Sequence, residues 1–114
     1  MSPITSHVLN TALGKPAHGV LVVLEKPDGA DLWSELGRAV TDSDGRIAAF
    51  DPPIKALKTQ AYRLRFATGA YFAAMHVLTF YPEVQVVFQV QDPIQHHHIP
   101  LLLSPFGYST YRGS

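Results

Sequence analysis

The sequence predicts an all-β fold, a two-sheet antiparallel β-sandwich of seven to eight strands with one short helix. Short segments of apolar or alternating residues recur along the chain, and they are separated by turns rich in Gly, Pro or Asp. A single segment has the composition of a helix. Because 114 residues with 46% apolar content suffice for one core, we expect a single domain over residues 1–114.

The N-terminal half contains four predicted strands. Residues 4–10 are a short run with β-branched residues and predict the first. Its two faces carry Ile4, Ser6 and Val8 on one side and Thr5, His7 and Leu9 on the other. Residues 19–26 are apolar on both faces, which is typical of a buried strand, and residues 31–41 predict a partly exposed one. Residues 42–45, Asp-Ser-Asp-Gly, predict a hairpin turn, followed by Arg46 and a short edge strand at residues 47–50.

The next part of the chain contains two strands and the helix. Residues 62–66 alternate, and their inward-facing side chains are those of Tyr62, Leu64 and Phe66. Residues 68–76 favour a helix, because Ala, Phe and Met suit one and Thr68 can cap its first turn. Residues 84–91 show the most regular alternation and predict a strand that ends before Asp92-Pro93.

The last segment predicts a terminal β-hairpin. Its first strand covers residues 96–104, its turn Ser104–Gly107 and its second strand residues 108–112. Side chains alternate along a strand, so two opposite faces are expected. One face carries His96, His98, Pro100 and Leu102, and the other carries His97, Ile99, Leu101 and Leu103.

The composition excludes several classes of function. Nine basic and nine acidic residues balance, so no basic field favours nucleic acid or an anionic membrane surface. The absence of cysteine excludes disulfides, thiolate nucleophiles and Cys-based metal sites. The N-terminus lacks a basic start followed by an apolar run, so we expect a cytoplasmic protein. A signal removed before Met1, or a periplasmic location, would leave the same sequence.

Three histidines and one arginine are the candidate chemical groups. His96 and His98 project from one strand face as ligands or acid–base groups, although a polar strand start explains them equally well. Taken alone, His7 is typical of a solvent-facing strand residue and Arg46 of a solvated edge residue. Histidine suits proton transfer because its ordinary pKa is about 6.5, and a nearby Arg favours the neutral form that a base needs.

Residues 111–114, Tyr-Arg-Gly-Ser, permit two interpretations. They form either a frayed tail or a dense set of hydroxyl, guanidinium and carboxylate groups for a polar, planar ligand. The residues alone leave both interpretations open.

Five motifs in order carry a resemblance that spans essentially the whole chain. They are Ser6-His7-Val8-Leu9-Asn10, Asp44-Gly45-Arg46, Phe80-Tyr81-Pro82, His96-x-His98-Ile99-Pro100-Leu101-Leu102-Leu103-Ser104-Pro105 and Tyr108-Ser109-Thr110-Tyr111-Arg112-Gly113-Ser114. With them the chain resembles the transthyretin-related 5-hydroxyisourate hydrolases. The closing Tyr-Arg-Gly-Ser is the most specific motif, because the hormone-carrier branch, transthyretin, shares Leu-Leu-Ser-Pro and Tyr-Ser-Thr but lacks that ending.

The resemblance implies a transthyretin-like sandwich and the hydrolytic opening of a cyclic amide-type bond in urate degradation, without cofactor or metal. It implies catalytic roles for His7, Arg46 and His98 and leaves open which histidine is the base. The same three residues are expected to bind substrate together with Ser109, Tyr111, Arg112, Gly113 and Ser114. The sequence departs from the family at His97, where Tyr is usual, and at Ile99, where Val is common; both changes concern local packing.

The resemblance also implies a homotetramer with its sites in a channel between dimers. Two other functions remain open. One is a metal-dependent hydrolase with His7, His96 and His98 as ligands. The other is a non-catalytic small-molecule carrier like transthyretin, against which the polar pair Tyr111-Arg112 argues.

Overall fold

The structure, a computed structural model, describes residues 2–114. Over this range it contains nine strands, two of them of only two residues, and one helix. In chain order these are β1 (Ile4–Asn10), β2 (Lys15–Pro16), β3 (Leu21–Pro27), β4 (Trp33–Val40), β5 (Arg46–Ile47), β6 (Ala61–Phe66), α1 (Thr68–Ala74), β7 (Val84–Gln89), β8 (His97–Ser104) and β9 (Gly107–Thr110). The predicted two-sheet sandwich with one short helix is confirmed. Within residues 2–114, no helix has the length and apolarity needed to cross a membrane.

The strands form one sheet of five and one of four. The first sheet has the order β2, β1, β8, β9, and β5 also pairs with β1; the second has the order β4, β3, β6, β7. The second sheet is antiparallel throughout. In the first sheet β1 and β8 run parallel, with Ile4 opposite His97 and Asn10 opposite Leu103. This pair departs from the antiparallel prediction, because alternation along a strand does not encode the direction of its partner.

The core lies between the two sheets and follows the predicted alternation. Along β8, Ile99, Leu101 and Leu103 are buried while His98 and Leu102 are half-buried. On β1, Ile4 and Val8 are fully buried on the facing side. Burying an aliphatic side chain of this size contributes about 1.5–3 kcal/mol, so the central pair β1–β8 is anchored by its inner face. The outer face of the same pair carries the polar residues Thr5, His7 and His98.

The helix is shorter than predicted, and its N-terminus lacks the predicted side-chain cap. It ends at Ala74, with Met75 as its C-cap, and its N-cap is Ala67, without a side-chain cap hydrogen bond. Thr68 is buried, and its Oγ1 has no hydrogen-bond partner within the described residues. The prediction that Thr68 caps the helix is therefore wrong, because this side chain points into the core instead of back along the backbone.

The turn at residues 42–45 connects the two sheets. Asp42 Oδ1 accepts hydrogen bonds from the backbone N–H groups of Asp44 and Arg46, each at 2.9 Å. The chain enters this turn from β4 of the second sheet and leaves it into β5 of the first. The hairpin prediction is wrong for this reason, and the strand after the turn ends at Ile47 instead of residue 50. The turn delivers Arg46 to the edge of β1.

Candidate active site

The register of the first sheet gathers the candidate residues on its outer face. In the parallel pairing Thr5 lies opposite His98, and His7 lies opposite Pro100. In the antiparallel pairing of β1 with β5, His7 lies opposite Arg46. Side chains opposite one another project from the same face of a sheet. One imidazole from each of two strands and the Arg46 guanidinium are thus brought to one face.

A pocket of about 260 Å³ opens beside these groups. Its lining combines a cation, two imidazoles and three hydroxyl-bearing residues; the lining residues are Thr5, Ser6, Arg46, Ile47, Ala48, His96, His98 and Ser114. Guanidinium, imidazole and hydroxyl groups together can bind a polar ligand and hold a water molecule for reaction.

His98 is half-buried and lines this pocket. Its Nδ1 lies 2.8 Å from Thr5 Oγ1, which leaves Nε2 without a protein partner among the described residues. Burial lowers the pKa of His98 below its ordinary value, and the nearby His96, Arg46 and His7 lower it further. A lowered pKa keeps the ring neutral at pH 7, the form in which a histidine accepts a proton.

Thr5 joins His98 to His96. Its Oγ1 lies 2.9 Å from His96 Nε2, and the two imidazole rings stack with centroids 6.4 Å apart and planes 21° apart. His96 is exposed, whereas His98 is half-buried. The alternation of side chains along residues 4–10 predicts that Thr5 and His7 share one face of β1, but Thr5 is not among the predicted site residues. Its position opposite His98 depends on the register of two distant strands, so no local signal identifies it.

His7 has a fixed ring orientation beside the pocket. Its Nε2 lies 2.9 Å from the carbonyl oxygen of Asp44. A carbonyl oxygen can only accept, so Nε2 carries the proton and Nδ1 of the neutral ring holds the lone pair. Arg46, which is exposed, is one of the residues that line the pocket, whereas His7 is not.

The chain end is attached to β8 at His98. The Gly113 N–H donates a hydrogen bond of 2.8 Å to the His98 carbonyl oxygen, in an isolated antiparallel bridge. A Cβ at Gly113 would stand 2.5 Å from His98 Cδ2, so only glycine fits against the ring. This contact places Ser114 in the pocket.

The other tail residues lie on a different side of His98. A second pocket of about 230 Å³ separates β7 from β8 and the tail; it is lined by Val86, Val87, Phe88, Gln89, His97, His98, Ile99, Thr110, Tyr111 and Arg112. Ser109 is exposed opposite Leu102. Of the predicted substrate-binding residues, Arg46, His98 and Ser114 therefore share one pocket, while Tyr111 and Arg112 line its neighbour.

The three histidines of the metal alternative are engaged with other groups. His96 and His98 meet at the Thr5 hydroxyl, and His7 donates to the Asp44 carbonyl. Over residues 2–114, no three His, Cys, Asp or Glu side chains are grouped as a metal site requires.

The nine-stranded sandwich, with its central parallel pair and a polar pocket on the outer face of one sheet, has the architecture of a transthyretin-like domain. The model of the HIUase/Transthyretin family matches residues 4–113, and the chain belongs to that family.

Relatives from both branches of the family resemble the chain over nearly its whole length. The 5-hydroxyisourate hydrolase of Salmonella dublin is 48% identical over 112 residues, which cover 97% of this chain and 80% of that protein. The structure of Klebsiella pneumoniae 5-hydroxyisourate hydrolase superposes with a TM-score of 0.81 at 37% identity, covering 100% of this chain and 94% of the other. Sea bream transthyretin in complex with thyroxine gives a TM-score of 0.84 at 28% identity, covering 97% and 94%.

Proposed function

We propose that this protein is a 5-hydroxyisourate hydrolase. The observation that carries the proposal is the pocket in which the neutral imidazole of His98 lies beside Arg46 and Ser114. The 48% identity to a bacterial 5-hydroxyisourate hydrolase supports the same substrate. In the reaction a water oxygen bonds to the carbonyl carbon of the cyclic amide-type bond, the ring C–N bond breaks, and the nitrogen takes up a proton. The product is the ring-opened carboxylate.

His98 is proposed as the general base. Its Nε2 is free, whereas Nδ1 is held by Thr5, so the ring presents one defined nitrogen to water. The depressed pKa leaves Nε2 unprotonated at neutral pH. The developing imidazolium would lie close to the positive charge of Arg46.

Arg46 is proposed to orient the substrate and to stabilise the oxyanion. The guanidinium is exposed at the rim of the pocket, and the turn at Asp42 fixes its backbone. A planar fork of N–H donors can hold a carbonyl oxygen and an adjacent nitrogen or oxygen of a planar ring simultaneously. Such donors stabilise negative charge more in the transition state than in the ground state.

His7 is proposed to contact the substrate through Nδ1. Because Nε2–H is committed to the Asp44 carbonyl, Nδ1 is the ring nitrogen left to accept a hydrogen bond or a proton. Removing the ring would also release the turn that positions Arg46. His7 thus supports the reaction from beside the pocket, through the turn that carries Arg46.

The tail is proposed to complete substrate binding. Ser114 lies in the same pocket as His98 and can hydrogen-bond a polar ring directly. Tyr111 and Arg112 are exposed on the neighbouring side, and Arg112 donates to Gln95 Oε1 at 3.2 Å. Together with Ser109 on the outer face, they would form the wall of a longer channel in an assembled protein.

A turnover assay tests the proposal. Purified protein is mixed with freshly generated 5-hydroxyisourate, and its ultraviolet absorbance is followed against the spontaneous decay. We expect His98→Ala and His7→Ala each to lower turnover about 100-fold or more, the usual scale for a positioned acid–base group. His18→Ala is the matched control, because His18 is exposed and lines a separate pocket. Wild-type protein that fails to accelerate the decay would refute the proposal.

We further propose a homotetramer with its sites in a channel between dimers. The strands β7 and β9 are the outermost strands of their sheets, and both border the second pocket. Unpaired strand edges readily add a strand from another copy, and Val87 and Tyr108 expose 59% and 43% of their surface there. Sedimentation analysis should give the mass of four chains, and Val87→Lys should reduce it. Leu32→Lys, in the exposed loop between β3 and β4, should leave the mass unchanged. A monomer mass for the wild type and for both variants would count against assembly.

The match to sea bream transthyretin favours a second function, non-catalytic carriage of a small molecule. A carrier would bind its ligand without turnover, and an apolar ligand in this pocket would desolvate the Arg46 guanidinium and the imidazoles without pairing them. The turnover assay separates the two functions, because acceleration that depends on His98 has no counterpart in a carrier.

A further inference from the structure

The Thr5 hydroxyl makes two short contacts but has one proton. It lies 2.9 Å from His96 Nε2 and 2.8 Å from His98 Nδ1. A hydroxyl donates once and accepts through two lone pairs, so Thr5 can donate to only one of these nitrogens and accepts from at least one. When Thr5 donates to one ring and accepts from the other, the tautomers of the two rings are linked.

In two neutral arrangements the Thr5 hydroxyl links the rings by accepting from one and donating to the other. In the first, His98 Nδ1–H donates to Thr5, and the Thr5 hydroxyl donates to His96 Nε2, so His98 Nε2 carries a lone pair. In the second, His96 Nε2–H donates to Thr5, and Thr5 donates to His98 Nδ1, so His98 Nε2 carries a proton. A base at Nε2 requires the first arrangement, and an acid at Nε2 requires the second.

We propose that Thr5 and His96 form a proton relay that carries the proton gained by His98 out to solvent. The inference rests on the proposed function, since it concerns the fate of the proton that His98 removes from water. Thr5 and His96 act through His98 and are positioning residues.

The relay step balances. After His98 Nε2 has taken a proton from water, the Nδ1–H bond of His98 breaks and an O–H bond forms on Thr5. The original O–H bond of Thr5 breaks at the same time, and an N–H bond forms at His96 Nε2. His98 becomes neutral with its proton on Nε2, ready to protonate the leaving nitrogen, and the positive charge resides on His96. His96 then releases its Nδ1 proton to water. When His98 Nε2 gives its proton to the leaving nitrogen, the bonds shift back: His98 Nδ1 takes a proton from Thr5, Thr5 takes one from His96 Nε2, and His96 Nδ1 takes one from water. His98 is thereby restored as a neutral base with a lone pair on Nε2.

The surroundings of the two rings give the relay its direction. His98 is half-buried and faced by His7 from β1, by Arg46 from β5 and by His96 from its own segment, all of which disfavour a cation there. His96 is exposed, so water solvates its charge. The proton moves from the less solvated ring to the more solvated one.

Substitution at Thr5 tests the relay in the full-length protein. Thr5→Val keeps the shape and strand propensity but removes the hydroxyl, and Thr5→Ser restores the hydroxyl. We expect Thr5→Val to lower kcat about tenfold with little change in KM, and Thr5→Ser to stay within about twofold of wild type. Melting temperatures of the three proteins should agree within a few degrees. Equal kcat for Thr5→Val and wild type would overturn the relay.

His96→Gln tests the outer end. Glutamine can accept the Thr5 hydrogen bond through its carbonyl oxygen but cannot take up the proton. We expect a fall in kcat similar to that of Thr5→Val, and no further fall in the double variant, because both changes break the same relay. Losses that multiply in the double variant would overturn it.

Nuclear magnetic resonance tests the linked tautomers without substrate. Long-range ¹H–¹⁵N correlation spectra distinguish Nδ1–H from Nε2–H in each ring. We expect His96 and His98 to show the same tautomer in wild type and to lose this correspondence in Thr5→Val. Nδ1–H in His98 together with Nε2–H in His96 would overturn the relay, since both would then donate to one oxygen. Linked tautomers in a protein without turnover would refute the proposed function and the catalytic use of the relay, but not the hydrogen-bond coupling.

Discussion

Gly113 lies directly against the ring of His98. Its backbone N–H donates to the His98 carbonyl oxygen at 2.8 Å, and a methyl group on its Cα would stand 2.5 Å from His98 Cδ2. The tail thus restricts the position of the proposed base from one side, while Thr5 holds it from the other.

Gly113→Ala is expected to displace the His98 ring. A shift of this kind at a catalytic group lowers turnover by about 100-fold, and the tail contributes too little core contact for a large change in stability. Turnover and thermal melting measured in parallel check this. Gly107→Ala is the control, because a Cβ there meets only Ser104 Oγ at 3.7 Å. If both alanine variants keep full activity, the tail does not position His98.

Arg46→Lys should lower kcat/KM by about tenfold or more, because an ammonium offers a point charge where a planar fork of donors is proposed. Arg38→Lys serves as the control; Arg38 is an exposed residue of β4 whose guanidinium pairs with Glu35. Steady-state kinetics of the three proteins make the comparison. Full activity of the Arg46→Lys enzyme would mean that Arg46 acts through its charge alone.

The pH dependence of kcat/KM should reflect His98. Burial and the neighbouring His96, Arg46 and His7 lower its pKa, so the ring stays neutral at pH values somewhat below 6.5, where an ordinary histidine is protonated. The midpoint of the acid limb of the kcat/KM profile should therefore lie below pH 6.5. In Arg46→Gln the residual activity should show this limb displaced to higher pH, since a charge that lowers the pKa is removed. An acid limb above 6.5 in wild type would contradict His98 as the base.

His97 should make the folded state less stable in acid. Burial, followed by the charge of Arg112, lowers its pKa, and its buried Nδ1 has no hydrogen-bond partner within residues 2–114. Between the lowered pKa and the ordinary value near 6.5, the unfolded chain binds more protons, so stability rises with pH in that window and is lost on acidification. His97→Phe should reduce the loss in melting temperature between about pH 7.5 and about pH 5. His18→Phe, at an exposed position, should retain the full loss.

Exhaustive chelation should leave turnover intact, because the proposed base is an imidazole and not a metal-bound hydroxide. The measurement is the rate of 5-hydroxyisourate decay before and after dialysis against a chelator. Loss of activity that added zinc restores would favour the metal-dependent alternative with His7, His96 and His98.

The strand face on which each candidate residue lies could be predicted from sequence. Side chains alternate between the two faces with a period of two residues, and this alternation does not depend on the partner strand. His98 and Leu102 face outward and Ile99 and Leu101 inward, as the alternation of residues 96–104 predicts. The same reasoning on residues 4–10 predicts the outward position of His7.

The contacts between strands could not be predicted in this way. Thr5 meets His98 because β1 and β8 pair in one particular register and in parallel, across 93 positions of sequence. The turn at residues 42–45 has the composition of a hairpin, but it crosses between sheets because β1 offers β5 a free edge. Both outcomes are decided by the packing of distant segments, which local propensity does not describe.

The parallel pairing of β1 with β8 also determines when the site can exist during synthesis. Ser6 Oγ donates to the Ile99 carbonyl oxygen, and Thr5 meets His98, each across 93 positions. Contacts of such sequence separation form late, since the loss of chain entropy on closing the loop precedes any gain from packing. A nascent chain can build β3, β4 and β6 of the second sheet while β1 still waits for its partner. The pocket then forms only after β8 has entered the first sheet beside β1, a strand synthesised 93 positions earlier.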